Sequence, residues 1–563
     1  MELLKRHKKV KLNLELIGVQ RAAFLNLVRR VGSPFILRLR SDGVHLNPAK
    51  WFKVFVGGAL LGTSEILPLG WLGALAGLIV CVTVCTAAKS SKERAWLVAV
   101  FTFSTFAVGS HWLYFGLLRG GAQSPIIAMT FLLMFCVVYA CLQSAVIYTL
   151  EVALHNFAHL DIGSSTVRWV VLPSGFYLAE TVRSVGIWAY PLQTVGSTQL
   201  ENPILVGWYP IFGSSGITLV TLWLASALSI LMSRAVKKKM LVSTFLAAIA
   251  VISLSLQLMN WTSPIGRQLS ILAIHTHFPN QVKWDAAARQ QTWQILQQAI
   301  KKPNVNVVVT PETFIVDPAQ VNDIDTWREV ISEAASRDIH LLIGLPFGEL
   351  DQEGNTRWYN ALMQLGPSRG DLYAKKYLVP FGEYLPLVQY LGRIYEDLFR
   401  FPLQEFVPGR GDKAQNLFVA GAELASLICY DIAFERDVAQ RAITATWLVH
   451  VSNDAWFEST AYEIRMTRQA RMRALETGRP VVRANNVGQT VLIGANGAIE
   501  ASVKAGEPGY LLATVQPMQG LTPFVALGLL GRIAMICFLL MTAFFLSRDK
   551  SVSHQRKVHA QIT

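Results

Sequence analysis

The sequence predicts a layered α/β domain joined to a multi-pass α-helical transmembrane domain of about eight spans. Apolar residues make up 52% of the 563-residue chain, and they concentrate in residues 54–261 and again at Phe524 to Leu546. Between these blocks, residues 262–520 have ordinary globular composition and alternate strand-like with helix-like runs, the pattern of sheets packed against helices. Asn496-Gly497, set between apolar runs, is the signature of a tight hairpin.

A helix needs about 20 apolar residues to cross a bilayer core. The runs that approach this are Val54–Leu69, Gly70–Ala88, Ala95–Leu117, Ile126–Leu150, Val167–Val182, Ile211–Met232, Met240–Met259 and Phe524–Leu546. The first, second and fifth are short or interrupted by Pro68, Pro173 or glycine. Basic residues then set the orientation, because positive loops stay cytoplasmic. Lys5 to Lys11, Lys89 to Arg94, Arg234 to Lys239 and Arg548 to Lys557 all fall on one side if seven spans precede the globular domain and one follows it. The chain divides into a basic cytoplasmic N-terminal extension (1–53), a transmembrane domain of about seven helices (54–261), a periplasmic globular domain (262–520), a C-terminal transmembrane helix (521–546) and a basic cytoplasmic tail (547–563). Residues 1–50 lack the apolar core and small-residue site of a cleaved signal peptide. The net charge of +14 lies outside the globular segment, which suits an anionic membrane rather than nucleic acid.

Within the globular segment the expected strands are Leu269–Ile274, Val305–Val309, His340–Gly344, Ala361–Leu365, Leu424–Cys429, Trp447–Ser452, Val481–Ala484, Val491–Ile493 and Tyr510–Val515. The expected helices are Ala286–Lys301, Trp327–Arg337, Phe434–Thr444 and Ser459–Thr477. Pro386–Gly409 is too apolar for an ordinary solvated loop and reads as a packing segment or a membrane-facing flap.

Cys429 is the sole cysteine of this segment; Cys81, Cys85, Cys136, Cys141 and Cys537 lie in the long apolar runs. A thiol ending a buried strand is either inert core or a nucleophile. Two other segments favour the nucleophile. Val305–Val309 leads into Thr310-Pro311-Glu312, and Leu372–Leu378 sets Lys375 among apolar residues. A carboxylate, an amine and a thiol, each beside a strand, are the parts of covalent acyl transfer. No His/Cys spacing suggests a metal, and the chemistry calls for no cofactor.

These residues, with their flanks, resemble the Glu-Lys-Cys triad of the nitrilase superfamily. Leu378-Val379-Pro380-Phe381-Gly382-Glu383, Ser452–Phe457, Ala470–Glu476, His111–Tyr114 and Glu180–Arg183 are similar to motifs of the bacterial apolipoprotein N-acyltransferases, across roughly residues 54–546. The resemblance implies a nitrilase-like α-β-β-α sandwich on the membrane domain. It implies that Cys429 takes an acyl chain from a membrane phospholipid and passes it to the α-amine of a diacylglyceryl-cysteine on an apolipoprotein. Glu312 would be the general base, Lys375 the oxyanion stabiliser, and Glu383, Tyr430 and Asp431 their supports. Trp284 resembles an aromatic at the substrate entrance, and Trp456, Glu458 and Arg465 join it as substrate-binding positions. The expected setting is the bacterial inner membrane, with the protein a monomer.

The chain departs from the family in three places. Cys429-Tyr430-Asp431 stands where the family has Cys-Tyr-Glu. Glu458 and Tyr462-Glu463-Ile464-Arg465-Met466 stand where it has a glycine and then Gly-Pro-x-Gln-His. His275-Thr276-His277 replaces Gln-x-Asn. These changes spare the triad and point toward a different amine or lipid acceptor. A membrane-tethered amidase and a non-catalytic lipid-binding protein are the alternatives. Glu180 with Arg183, and singly Glu65 and His111, read as structural polar residues of the membrane part.

Overall fold

The computed structural model describes residues 47–534 apart from 121, 157–161, 187–188, 233–235, 280–282, 284, 317–323, 368–369, 387–389, 391, 393–405, 458–460, 505, 529 and 532–533. The N-terminal part is helical: α1 (Pro48–Thr63), α2 (Gly70–Thr86), α3 (Ser91–Gly109), α4 (Trp112–Arg119), α5 (Pro125–Asn156), α6 (Leu172–Val182), α7 (Tyr209–Leu231) and α8 (Val236–Gln257). Each expected run up to Met259 therefore has a helix. Membrane-crossing length is rarer. Among the described residues, Pro125–Asn156 and Val206–Leu231 are long and apolar enough, and the pair α3–α4, bent by 52°, makes a third. The expectation of eight spans is thus met only in part. Helices α1 and α2 have 16 and 17 residues, short for a bilayer core at about 1.5 Å per residue. The expected eighth span lies mostly outside the described residues.

The α3–α4 bend has a side-chain cause. Ser110 Oγ donates to Gln193 Oε1 (2.7 Å), and the Gln193 amide donates to the Thr105 carbonyl (2.7 Å). A Cβ at Gly109 would lie 1.9 Å from that amide, so the glycine makes room for the wedge that ends the helix.

Residues 263–519 form two six-stranded sheets and a two-stranded antiparallel pair. With β1 (Ser263–Pro264), β2 (Leu269–His275), β3 (Val307–Val309), β4 (His340–Leu350), β5 (Thr356–Leu365), β6 (Leu372–Ala374), β7 (Leu417–Val419), β8 (Ala422–Ile428), β9 (Trp447–Ser452), β10 (Val481–Asn485), β11 (Val491–Ile493), β12 (Ile499–Ser502), β13 (Gly509–Val515) and β14 (Met518–Gln519), the orders are β13-β2-β3-β4-β5-β6 and β12-β11-β10-β9-β8-β7. Their centres are parallel, β2-β3-β4 and β8-β9-β10, and the edges antiparallel; the separate pair is β1 with β14. Alternation along each strand sorts the side chains. Ile271, Val307 and Leu342 meet Leu424, Val449 and Val482 between the sheets. Leu272, Val308 and Leu341 face α9 (Ala286–Ile300) and α10 (Ile324–Ser336). Leu427, Leu448 and Val481 face α11 (Glu435–Arg441) and α12 (Tyr462–Thr477). The result is an α-β-β-α sandwich.

The second helical layer is also the joint with the membrane part, because Phe106, Trp112, Tyr139 and Tyr190 share its core. Helix α7 breaks at Gly213 (φ 66°), where a Cβ would lie 2.3 Å from the Phe524 ring. The amides freed by the break are capped from the catalytic domain. Ser214 N–H donates to Glu476 (2.7 Å) and Ser215 N–H to Glu435 (3.2 Å).

Candidate active site

Glu312 follows β3 in a turn that leans on β4. A Cβ at Gly344 would lie 2.2 Å from the Pro311 carbonyl, so glycine lets the turn approach. Gly344 N–H donates to Thr310 Oγ1 (2.9 Å), and Thr313 has φ 46°. The Lys283 ammonium clamps this turn, donating to the Glu312 carbonyl (3.2 Å) and Thr313 Oγ1 (2.8 Å).

Lys375 leaves the end of β6 and is 1% exposed. Its Nζ lies 3.2 Å from Glu312 Oε1 and 3.0 Å from Glu383 Oε1. Asn360, on β5, donates Nδ2 to both carboxylates, at 2.7 and 2.8 Å. Glu312 Oε2 accepts from Asn453 N–H (2.9 Å), and Glu383 Oε2 from Val379 N–H (2.8 Å). Burial works against the Lys375 charge, but the Glu312 and Glu383 carboxylates outweigh it and hold the amine well above its ordinary range.

Cys429 was expected to end a strand. The strand instead stops at Ile428, and Cys429 opens a 3-10 turn, Cys429–Ala433, with φ 48°. Asp431 shapes that turn: its carboxylate accepts from Ile428 N–H (3.1 Å), Tyr373 Oη–H (2.9 Å) and Tyr377 N–H (2.9 Å). Burial pushes Asp431 up to about 6, with the Lys375 charge opposing. His450, fully buried on β9, donates Nε2–H to the Cys429 carbonyl (3.0 Å), and its Nδ1 accepts from Arg483 (2.9 Å). Arg483 pairs in turn with Asp454. Burial, then the Arg483 charge, drives His450 well below its usual range, in keeping with this neutral tautomer. The thiol is pushed up to about 12, by burial first and then by the Glu312 charge, with Lys375 opposing. Tyr462 Oη lies 3.8 Å from Sγ.

The expected residues divide into three groups. Glu312, Lys375 and Glu383 converge, and Asp431 props the Cys429 turn. Tyr430 points elsewhere: its hydroxyl donates to the Ala189 carbonyl (2.9 Å) of the membrane part. Trp456 is 40% exposed, with its carbonyl accepting from Arg119 (3.4 Å). Trp284 and Glu458 lie outside the described residues, as does most of Pro386–Gly409. Arg465, expected to bind substrate, is buried. It is 2% exposed, paired with Glu65 and donating to the Gly62 carbonyl (3.3 Å). It sits at the domain joint because α12 turns this face toward the membrane helices. Glu180 and Arg183 are 4.0 Å apart; Glu180 accepts from Val195 N–H and Thr218 Oγ1–H, and Arg183 donates to the Tyr190 and Leu192 carbonyls. His275 donates from Nδ1 to the Asn485 carbonyl (2.9 Å). Sequence reading passed over Asn360, Lys283 and His450, and met Tyr462 only as part of an altered motif.

Residues 267–524 match the carbon-nitrogen hydrolase family, the class that the paired sheets and this site define. Residues 58–227 match the apolipoprotein N-acyltransferase N-terminal domain. Proteins named apolipoprotein N-acyltransferase are 30% identical in Nitrosomonas europaea, over 82% of this chain and 91% of that one. In Methylococcus capsulatus the identity is also 30%, over 85% and 94%. The chain belongs to the apolipoprotein N-acyltransferase family and is an acyltransferase. Among solved structures, Saccharomyces cerevisiae Nit3, of branch 10 of the nitrilase superfamily, aligns over 46% of this chain and 93% of its own at 16% identity, with a TM-score of 0.34.

Proposed function

We propose that the protein transfers an acyl chain from a membrane phospholipid, through a Cys429 thioester, to the α-amine of the N-terminal diacylglyceryl-cysteine of an apolipoprotein. One observation carries the reading: a buried ammonium bridging two carboxylates, beside a thiol on a strained turn. A thiol held near 12 is almost wholly protonated at neutral pH. Attack therefore needs Glu312 to take the proton as the C–S bond forms. Lys375 then offers its charge to the tetrahedral oxyanion, aided by a backbone N–H after Cys429. Glu312 returns the proton to the departing lipid oxygen. In the second half-reaction the amine attacks the thioester and sulfur leaves.

Both substrates are lipids, and helices of membrane-crossing length pack against the catalytic domain. The basic loops support cytoplasmic termini, about eight spans in a bacterial inner membrane and a periplasmic catalytic domain. The protein is taken to act as a monomer on phospholipid donor and apolipoprotein acceptor.

The test is mass spectrometry of the Cys429 peptide after incubation with phospholipid vesicles, followed by addition of a diacylglyceryl-cysteinyl peptide. An acyl adduct should appear on Cys429 and move to the peptide amine, and Cys429→Ala should show neither. Transfer that persists in Cys429→Ala would sink the assignment.

A further inference from the structure

We propose that the Tyr462 hydroxyl is a further catalytic group of this site, donating a hydrogen bond to the Cys429 sulfur whenever that sulfur carries negative charge. The proposal deepens the acyl-transfer reading and rests on it.

The placement comes first. Tyr462 opens α12, is 3% exposed, and holds its oxygen 3.8 Å from Sγ in the resting site. Such contacts are often long before substrate binds and tighten as charge develops. Its ring is fixed from two sides. Phe457 lies 4.2 Å away, centroid to centroid, and Trp112 lies 4.8 Å away. Trp112 belongs to α4 and is itself 3% exposed. Phe457 is seated in turn over Gly116 of α4, where a Cβ would lie 2.1 Å from the ring. The membrane helix therefore sets the direction in which the phenol points.

The electrostatics explain why a neutral donor helps. Glu312, Asp454 and Glu383 all oppose charge on Sγ, and Lys375 favours it. Lys375, however, is already shared between Glu312 and Glu383. A hydroxyl adds a donor aimed at sulfur without adding a charge that must itself be balanced. The phenol also keeps its proton, because burial, then the nearby Cys429, push its ionisation well above the usual tyrosine range.

Bonds and protons balance as follows. In acylation the thiol proton passes to Glu312, sulfur bonds the acyl carbon, the ester C–O bond breaks, and the proton leaves with the lipid oxygen. In transfer the amine bonds the acyl carbon, the C–S bond breaks with its electron pair on sulfur, and the amine proton returns through Glu312 to sulfur. Tyr462 donates to sulfur at the start of the first step and at the end of the second, and it is unchanged throughout.

Tyr462→Phe removes the oxygen and keeps the ring packing. The full-length variant in detergent is reacted with iodoacetamide across a pH series, following the Cys429 peptide. Thioester formation from phospholipid is measured in parallel. A hydrogen bond to a charged group is worth about 1.5–3 kcal/mol, roughly 10–150-fold. Alkylation at fixed pH should fall by about that factor, the profile should move to higher pH, and acylation should slow in parallel with KM for phospholipid unchanged. Unchanged alkylation and acylation would overturn the proposal. So would faster alkylation, which would make the hydroxyl a plug over the thiol. The alkylation arm does not depend on acyl transfer. If the wild-type protein formed no thioester while Tyr462→Phe still shifted alkylation, the transfer reading would fall and the hydrogen bond would stand.

Discussion

Lys283 stands behind the Glu312 turn without touching the triad's reactive atoms, and its effect is expected on stability. Burial brings its amine down from 10.5 to about 7, with the Glu312 charge partly opposing. A lysine depressed in the folded state makes the unfolded chain the stronger proton binder between about pH 7 and 10.5. Stability from this group therefore rises with pH across that window, and its full penalty is present below about pH 7. Lys283→Met should give its largest gain in thermal midpoint relative to wild type below about 7, shrinking toward 10.5. Losing the donor to the Glu312 carbonyl and Thr313 opposes that gain at every pH, so the slope of the difference is the diagnostic. A difference that does not change with pH would rule the account out. Nothing near Lys283 in the sequence marks it. Its neighbours Val282 and Trp284 are apolar, and only the fold brings it under residues 312–313. Asn360 was invisible for the same reason: a single asparagine in a strand carries no signal until β5 and β6 set it between Glu312 and Glu383.

At the level of elements, the Cys429 turn concentrates the most structure in the fewest residues. A non-glycine residue in the left-handed region costs about 1–3 kcal/mol and persists only where its surroundings hold it. Asp431 is the holder, with three donors converging on one buried carboxylate. Asp431→Ala leaves those donors unpaired, at about 1–3 kcal/mol for each one that stays buried, and frees the turn to relax. Thermal midpoint and thioester formation should fall together, with acylation losing at least about tenfold, since 1.4 kcal/mol already amounts to that factor. Full acylation in a destabilised Asp431→Ala would show that the turn does not depend on this carboxylate. Strand periodicity made β2, β4, β9 and β10 legible within a residue or so at their starts, because two buried faces write long apolar runs. The short antiparallel edges β7 and β12 were missed, since three or four residues beside turns are too few to show a period. Cys429 was read as the last strand residue, one past the true end, because Ile428 and Tyr430 flank it with large, largely apolar side chains and backbone handedness leaves no trace in hydropathy.

Across the whole molecule, the joint between membrane helices and catalytic domain holds a buried polar cluster beside its apolar core. Arg465 pairs with Glu65, the Glu65 carboxylate also accepts from Ser197, and Arg468 donates to the Ser197 carbonyl (3.2 Å). A charge in an altered motif makes Arg465 look like a substrate contact in the sequence, while its partner in the structure lies 400 residues away. Breaking a buried ion pair from one side leaves a charge without a counter-charge, costing about 3–5 kcal/mol, whereas removing both sides is often neutral. Arg465→Met should therefore lower the thermal midpoint and reduce thioester formation and acyl transfer in the same proportion, as folded protein is lost. Adding Glu65→Gln should recover much of both, because the glutamine still offers Ser197 an acceptor and leaves no buried charge. The coupling between the two sites is read from the double-mutant cycle in thermal midpoint, with the two half-reactions followed separately. A stable double variant that acylates Cys429 normally but fails to pass the chain to a diacylglyceryl-cysteinyl peptide would return Arg465 to the acceptor site and contradict its assignment to the joint.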